Sequence, residues 1–283
     1  MMQRPPSGTG ILPMRSNSNG QNVRAAKYNL FRFSLLLSAL FAVAAMEPPS
    51  QPITLPPAQA AKEGRALVNE MLSQPPGEST TTGVMAIRHG KSYQEIPIKF
   101  QTIVRSNDWV SVYEATRKNG VEHISIIHSA GQTNRYLAGE TSSINNLPVA
   151  GQSLPAPLSA QQITAPFAGS DFSIADLGLE FLHWPDQKLL QKEMKRSRSC
   201  LVLESTNPHP TAGGYFKVKS WVDNESHGIL LAQAFDAKGN KIKEFIPGDF
   251  SKSKATGQWQ LGKMQITNPQ NDYTTTVQFD VNK

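Results

Sequence analysis

The sequence predicts a mainly β fold with some α: a single strongly curved antiparallel sheet, covered by an N-terminal helix and a central helix. Two observations predict it. About ten short stretches after Ile96 alternate apolar and polar residues and are mostly separated by short polar turns, which is meander spacing. Two further stretches, around Leu67 and Phe181, carry apolar residues at helical spacing instead. No internal repeat breaks the chain into smaller units, so the pattern reads as one domain.

The first of the 283 residues read as a leader. Arg24, Lys27 and Arg32 precede the run FSLLLSALFAVAA, Phe33–Ala45, a basic region followed by an apolar core of the length a secretory signal uses. The run is shorter than the roughly 20 apolar residues of a spanning helix, so residues 1–45 read as a signal peptide cleaved near Ala44 or Ala45. The formal charge of +6 includes five basic residues ahead of Ala45 and no acid, so removing them leaves +1. A nearly neutral chain lacks the basic footprint that phosphate backbones require, and no nucleic-acid partner is expected. Cys200 is the single cysteine. It excludes an intramolecular disulfide and a cysteine-rich zinc site, and it lies too far from the leader to anchor a lipid.

Residues 46–60 are proline-rich and read as an extended linker. The helix that follows has Gly64, Leu67, Val68, Met71 and Leu72 on one stripe and is stopped by Pro75, Pro76 and Gly77. A lone apolar stripe needs a surface to lie on. IPIKFQTIVR offers one, with Ile96, Ile98, Phe100, Thr102 and Val104 on one face and Lys99, Gln101 and Arg105 on the other. WVSVYEA, EHISIIHS and TNRYLAG continue the meander. The segment Thr141–Pro166 has no sustained period and reads as a long connecting loop, either a functional cover or slack chain.

FAGSDFSIADLGLEFLHWP reads as the central helix. Ser173 takes the N-cap position and Asp176 closes an S-x-x-D capping box. Phe172 and Leu177 form a hydrophobic staple around that cap, and Asp176 sits at the favourable end of the helix dipole. Ile174, Leu177, Phe181 and Leu182 line one face up to Pro185. An enzymatic reading of the same stretch fails. Ser170 lacks the second glycine of a nucleophile elbow, and Asp171, Asp176 and Glu180 do not converge on a metal around a helix. His123 and His128 fall on opposite faces of one strand, and no paired-histidine motif occurs. No catalytic residue, metal or cofactor is expected.

LLQKEM, CLVLES, YFKVKSWV, GILLAQAF, a hairpin turning at Lys238-Gly239-Asn240, QWQLGKMQI and YTTTVQFDV complete the strands. Taken in this order the features resemble the outer-membrane lipoprotein-sorting proteins, a LolA/LolB-like group. GSDFS at Gly169–Ser173 with Asp176-Leu177 is the most specific match. CLVLEST at Cys200, YFKVKSWVD at Tyr215, AFDAKGNKIKEF at Ala234 and GQWQLGKMQITN at Gly257 follow in the expected order. The likeness runs from Ala61 to Val281; one departure is Ile174, where the family's motif carries an aromatic residue.

The resemblance implies a LolA-like half-barrel domain over residues 61–283, a half-open β-barrel whose concave apolar face receives acyl chains. It implies a periplasmic carrier that shields the acyl chains of lipoproteins or a related lipid, and the position of Cys200 makes that carrier soluble and not itself lipid-anchored. An inner- or outer-membrane protein is a possible partner. The alternative is an envelope lipid-sensing or protein-interaction module of the same fold without transport. Alternation and helix stripe nominate Phe100, Val112, Phe172, Leu177, Phe181, Trp184 and Val218 for the cavity wall.

Overall fold

The computed structural model describes residues 51–52, 55–73, 76–139, 156–252 and 259–281. The leader at 1–45 and most of the Thr141–Pro166 segment lie outside the described residues. The helix α1 (Pro57–Leu72) starts inside the stretch read as linker. Pro57 explains this, because a proline in the first turn lacks only an N–H that the helix would not use there. Gly64, Leu67 and Val68 are buried. At the other end, the Ser73 hydroxyl donates to the Glu70 carbonyl at 2.8 Å.

The described residues form fifteen strands. They are β1 (Gln51–Pro52), β2 (Ser79–His89), β3 (Ser92–Val104), β4 (Asp108–Arg117), β5 (Gly120–Ser129), β6 (Arg135–Ala138), β7 (Asp186–Lys195) and β8 (Arg198–Thr206). After them come β9 (Lys217–Asp223), β10 (Ile229–Phe235), β11 (Lys241–Pro247), β12 (Phe250–Lys252), β13 (Trp259–Leu261), β14 (Lys263–Asn268) and β15 (Tyr273–Phe279). Thirteen of them pair in the order β1-β7-β8-β9-β10-β11-β14-β15-β2-β3-β4-β5-β6. All these pairs are antiparallel, and β12 and β13 pair separately. β15 joins the two halves by pairing with β2 from Tyr273↔His89 to Phe279↔Gly83. The sheet stays open, with β1 and β6 as its edges.

Three elements differ from the sequence expectation. β2 occupies a stretch to which the pattern assigned nothing; it buries Met85 and Ile87 while Val84 stays exposed. QWQLGKMQI is divided between β13 and β14. The β7–β8 hairpin turns through Arg196 and Ser197 with φ of 50° and 62°, a left-handed pair without glycine.

The central helix is also shorter than expected. α2 spans only Ile174–Leu177, and a 3-10 turn covers Glu180–His183. Between them Leu179 is left-handed, with φ 49°. The break has a tertiary cause. Asn134 Nδ2 donates to the Gly178 carbonyl at 2.8 Å, and a Cβ at Gly178 would lie 2.4 Å from the Tyr136 hydroxyl. A continuing helix would use that carbonyl internally, so the strand-side amide competes for it. Four residues also carry too few aligned peptides for a macrodipole, so hydrogen bonds rather than dipole attraction hold Asp176.

Two apolar clusters fill one face of the sheet. One packs Met85, Ile96, Ile124, Ile126, Phe172 and Ile266 under α2. The other packs Leu203, Val218, Val222 and Ala232 against Leu67 and Val68 of α1.

Candidate functional site

Where the two clusters separate, the sheet and its covering segments leave a cavity of about 720 Å³. Its sheet wall comes from alternate residues of adjacent strands, since side chains two apart share a face. These are Phe100 and Thr102 on β3, Trp109, Ser111 and Tyr113 on β4, and His128 on β5. Phe245, Met264 and Phe279 extend the wall across β11, β14 and β15. The opposite wall is the break after α2, with Leu177, Gly178, Leu179 and Leu182. Met71 and Leu72 at the end of α1 and Phe250 on β12 stand at its rim. Leu72 is 39% and Phe250 47% exposed, so the rim is apolar where solvent reaches it.

The polar side chains on the wall are hydroxyls and imidazoles. The Tyr113 hydroxyl donates to the Leu177 carbonyl at 3.1 Å, and burial pushes its pKa well up. His128 stacks on Trp109 with ring centroids 3.6 Å apart. Burial lowers its pKa to about 4, with Asn134 and His183 adjusting it in opposite directions. Its Nε2 is buried and has no hydrogen-bond partner. Among the described residues, no Lys, Arg, Asp or Glu lines this cavity.

The nominated residues separate into groups. Phe100 and Leu177 line the large cavity. Phe181 and Val218 line a separate void of about 30 Å³ that shares Leu179 and Phe245 with the wall of the large cavity. Phe181 also joins Trp184 in a cavity of about 210 Å³ beside Tyr215 and Lys243. Phe172 is core, 1% exposed, and meets Phe245 edge-on. Val112 is a correction: it faces the other side of the sheet, packed with Val110, Ile127 and Leu137. Both faces of β4 are covered, so alternation alone leaves open which face is concave. Thr102 shares the face of Phe100 and was legible on that ground; Trp109, Ser111 and Tyr113 required the phase of β4.

The stretch around Asp171 is a structural lock. Ser173 Oγ accepts from the Asp176 N–H at 3.2 Å while Asp176 Oδ2 accepts from the Ser173 N–H at 2.7 Å. Tyr215 OH donates to the same carboxylate at 2.9 Å, and Lys243 Nζ stands 3.4 Å from it. Asp171 Oδ2 accepts from Thr275 Oγ1 at 2.8 Å and lies 3.3 Å from His89 Nε2. Asp171 and Thr275 are 8% and 0% exposed, which leaves no room for a substrate beside them. Lys243 Nζ also donates to the Asp171 carbonyl. These contacts seat α2 on β11, β15 and β2. Cys200 is likewise buried on β8, and burial raises its thiol pKa, the opposite of what a nucleophile needs. Among the described residues no three His, Cys, Asp or Glu side chains are arranged to hold a metal, and no helix is long and apolar enough to cross a membrane.

A family model described as "Uncharacterized protein" matches residues 147–282, and no curated protein matches the chain. Solved structures do. A putative outer membrane lipoprotein-sorting protein domain from Vibrio parahaemolyticus superposes with a TM-score of 0.62 at 18% identity. A DUF1329 family protein from Desulfovibrio piger gives 0.59 at 20% identity, and a LolA superfamily protein from Nitrosomonas europaea 0.51 at 15%. Each likeness covers 78% of this chain and 91% of the other.

Proposed function

We propose, for a chain that has the LolA-like fold, that it is a periplasmic carrier that holds the acyl chains of a lipoprotein or related lipid in the cavity between the α2 segment and the sheet. The observation that carries this reading is the cavity's size joined to its lining. A volume of about 720 Å³ lies within the ~300–1,000 Å³ usual for ligand pockets. Each CH₂ moved from water onto such a wall contributes about 0.8 kcal/mol. A carrier built this way needs area rather than directed bonds, which fits a site without catalytic geometry. The apolar rim at Leu72 and Phe250 gives a chain a first contact outside the cavity. The leader expected at residues 1–45 would deliver the protein to the periplasm. The nominated Phe100 and Leu177 are the first wall residues to test.

Native mass spectrometry on gently purified full-length protein, with lipid extraction of the same sample, tests the reading. A co-purifying acylated species that a neutral acyl probe displaces supports it. A clean apo mass with no probe uptake rejects it and favours an interaction module of the same fold.

A further inference from the structure

We infer that the large cavity selects uncharged acyl ligands, esters or amides, and discriminates against free fatty acid anions. The inference rests on the acyl-binding reading above and adds to it the electrical character of the ligand.

The argument starts from what the wall lacks and what it offers. An ionised carboxylate taken out of water needs a cation or several hydrogen-bond donors, or it takes up a proton instead. No Lys or Arg stands on the cavity wall among the described residues. The groups there that could become positive are His128 and His227. His128 is faced by the Trp109 ring, by Asn134 and by His183, with no acid among these, and it stays neutral in ordinary buffers. His227 is at the rim, and its Nδ1 lies 3.4 Å from Glu70 Oε1, so a carboxylate already stands beside it.

What the wall does offer suits a carbonyl of an ester or amide. Thr102 and Ser111 are directly opposite each other on β3 and β4, both on the cavity wall. Hydroxyls can donate to a carbonyl, and they accept equally well from an amide N–H or a glycerol hydroxyl. Together they form a small uncharged polar patch in an apolar wall, which fixes where the linkage of an acyl ligand sits and leaves the hydrocarbon to the remaining surface.

The test is competition for the full-length protein, using a dodecyl chain that carries a neutral environment-sensitive fluorophore. Glycerol monolaurate and lauric acid are the competitors, below their aggregation concentrations, from pH 8 to pH 5. The expected result is that laurate competes about tenfold or more weakly than the monoester at pH 8, with the gap closing as the acid becomes protonated. The monoester's own curve corrects for any titration of the protein. Thr102→Lys, which sets one cation on the wall, is expected to raise laurate affinity at pH 8 without raising that of the monoester. Equal competition by both at pH 8 overturns the inference and leaves acyl binding standing. If the neutral probe itself does not bind, both fall.

Discussion

Replacing Gly64 by Ala separates two pictures of α1 by sign. In the structure the helix rests directly on β7. A Cβ at Gly64 would lie 2.7 Å from the Lys188 nitrogen and 2.8 Å from both Gln187 C and Lys188 Cα. These are backbone atoms and cannot rotate away, so the helix must lift. Lifting it loosens Leu67 and Val68, which are 6% and 3% exposed, from the cluster under α1. Such overpacking costs about 1–3 kcal/mol. Against that, alanine is favoured over glycine in a helix interior by about 1 kcal/mol. The expected net effect is a loss of about 1 kcal/mol in urea unfolding at neutral pH, with the slope unchanged. A helix that only brushed the sheet would show the propensity term alone and become more stable. A variant as stable as the parent, or more so, refutes the seating of α1 and with it the placement of Met71 and Leu72 at the cavity rim.

Three further outcomes follow from the same contacts. His128 has its folded pKa lowered to about 4 from 6.5, so the unfolded chain binds its proton first. Stability therefore falls as pH drops from 6.5 towards 4, by about 2 kcal/mol at pH 5, and a His128→Phe variant compared over the same pH range should lack that part of the slope. Ser173→Ala removes one half of the capping box and should lower stability by about 1 kcal/mol, read by thermal or urea unfolding. Asp223 is pushed up by burial, but Ser226, Arg198 and the Glu225 N–H outweigh this and hold its pKa below the ordinary value. Its stabilisation is present above that ordinary value and lost as pH falls through the folded one, so Asp223→Asn should flatten the acid limb below about pH 4.

What was legible in the sequence was local. Ser173 and Asp176 announce their capping box because both partners lie within one turn. The second half of the sheet follows from alternation between turns such as Lys238-Gly239-Asn240, where Asp236 Oδ1 accepts from the Lys238 and Asn240 N–H groups. The break at Gly178 depends on Tyr136 of the distant β6 and on Asn134 just before that strand, and no local pattern carries that information. Val112 shows a related limit. Its strand buries both faces, so period two is visible and its phase is not. β2 carries the alternation of Met85 and Ile87, but its run of threonines and Gly83 dilutes the apolar signal that the eye follows.

The central claim is that the space between α2 and the sheet holds acyl chains. It is tested most directly by equilibrium binding of the neutral dodecyl probe to the parent protein and to Ser111→Phe, a change that puts a ring into the cavity from the sheet side. Thermal unfolding of both proteins controls for the fold. The account predicts saturable uptake by the parent and at least a tenfold loss in the variant, about 1.4 kcal/mol or more, with the melting temperature retained. Undiminished uptake by a folded Ser111→Phe protein would contradict it, because the chain would then be bound somewhere else.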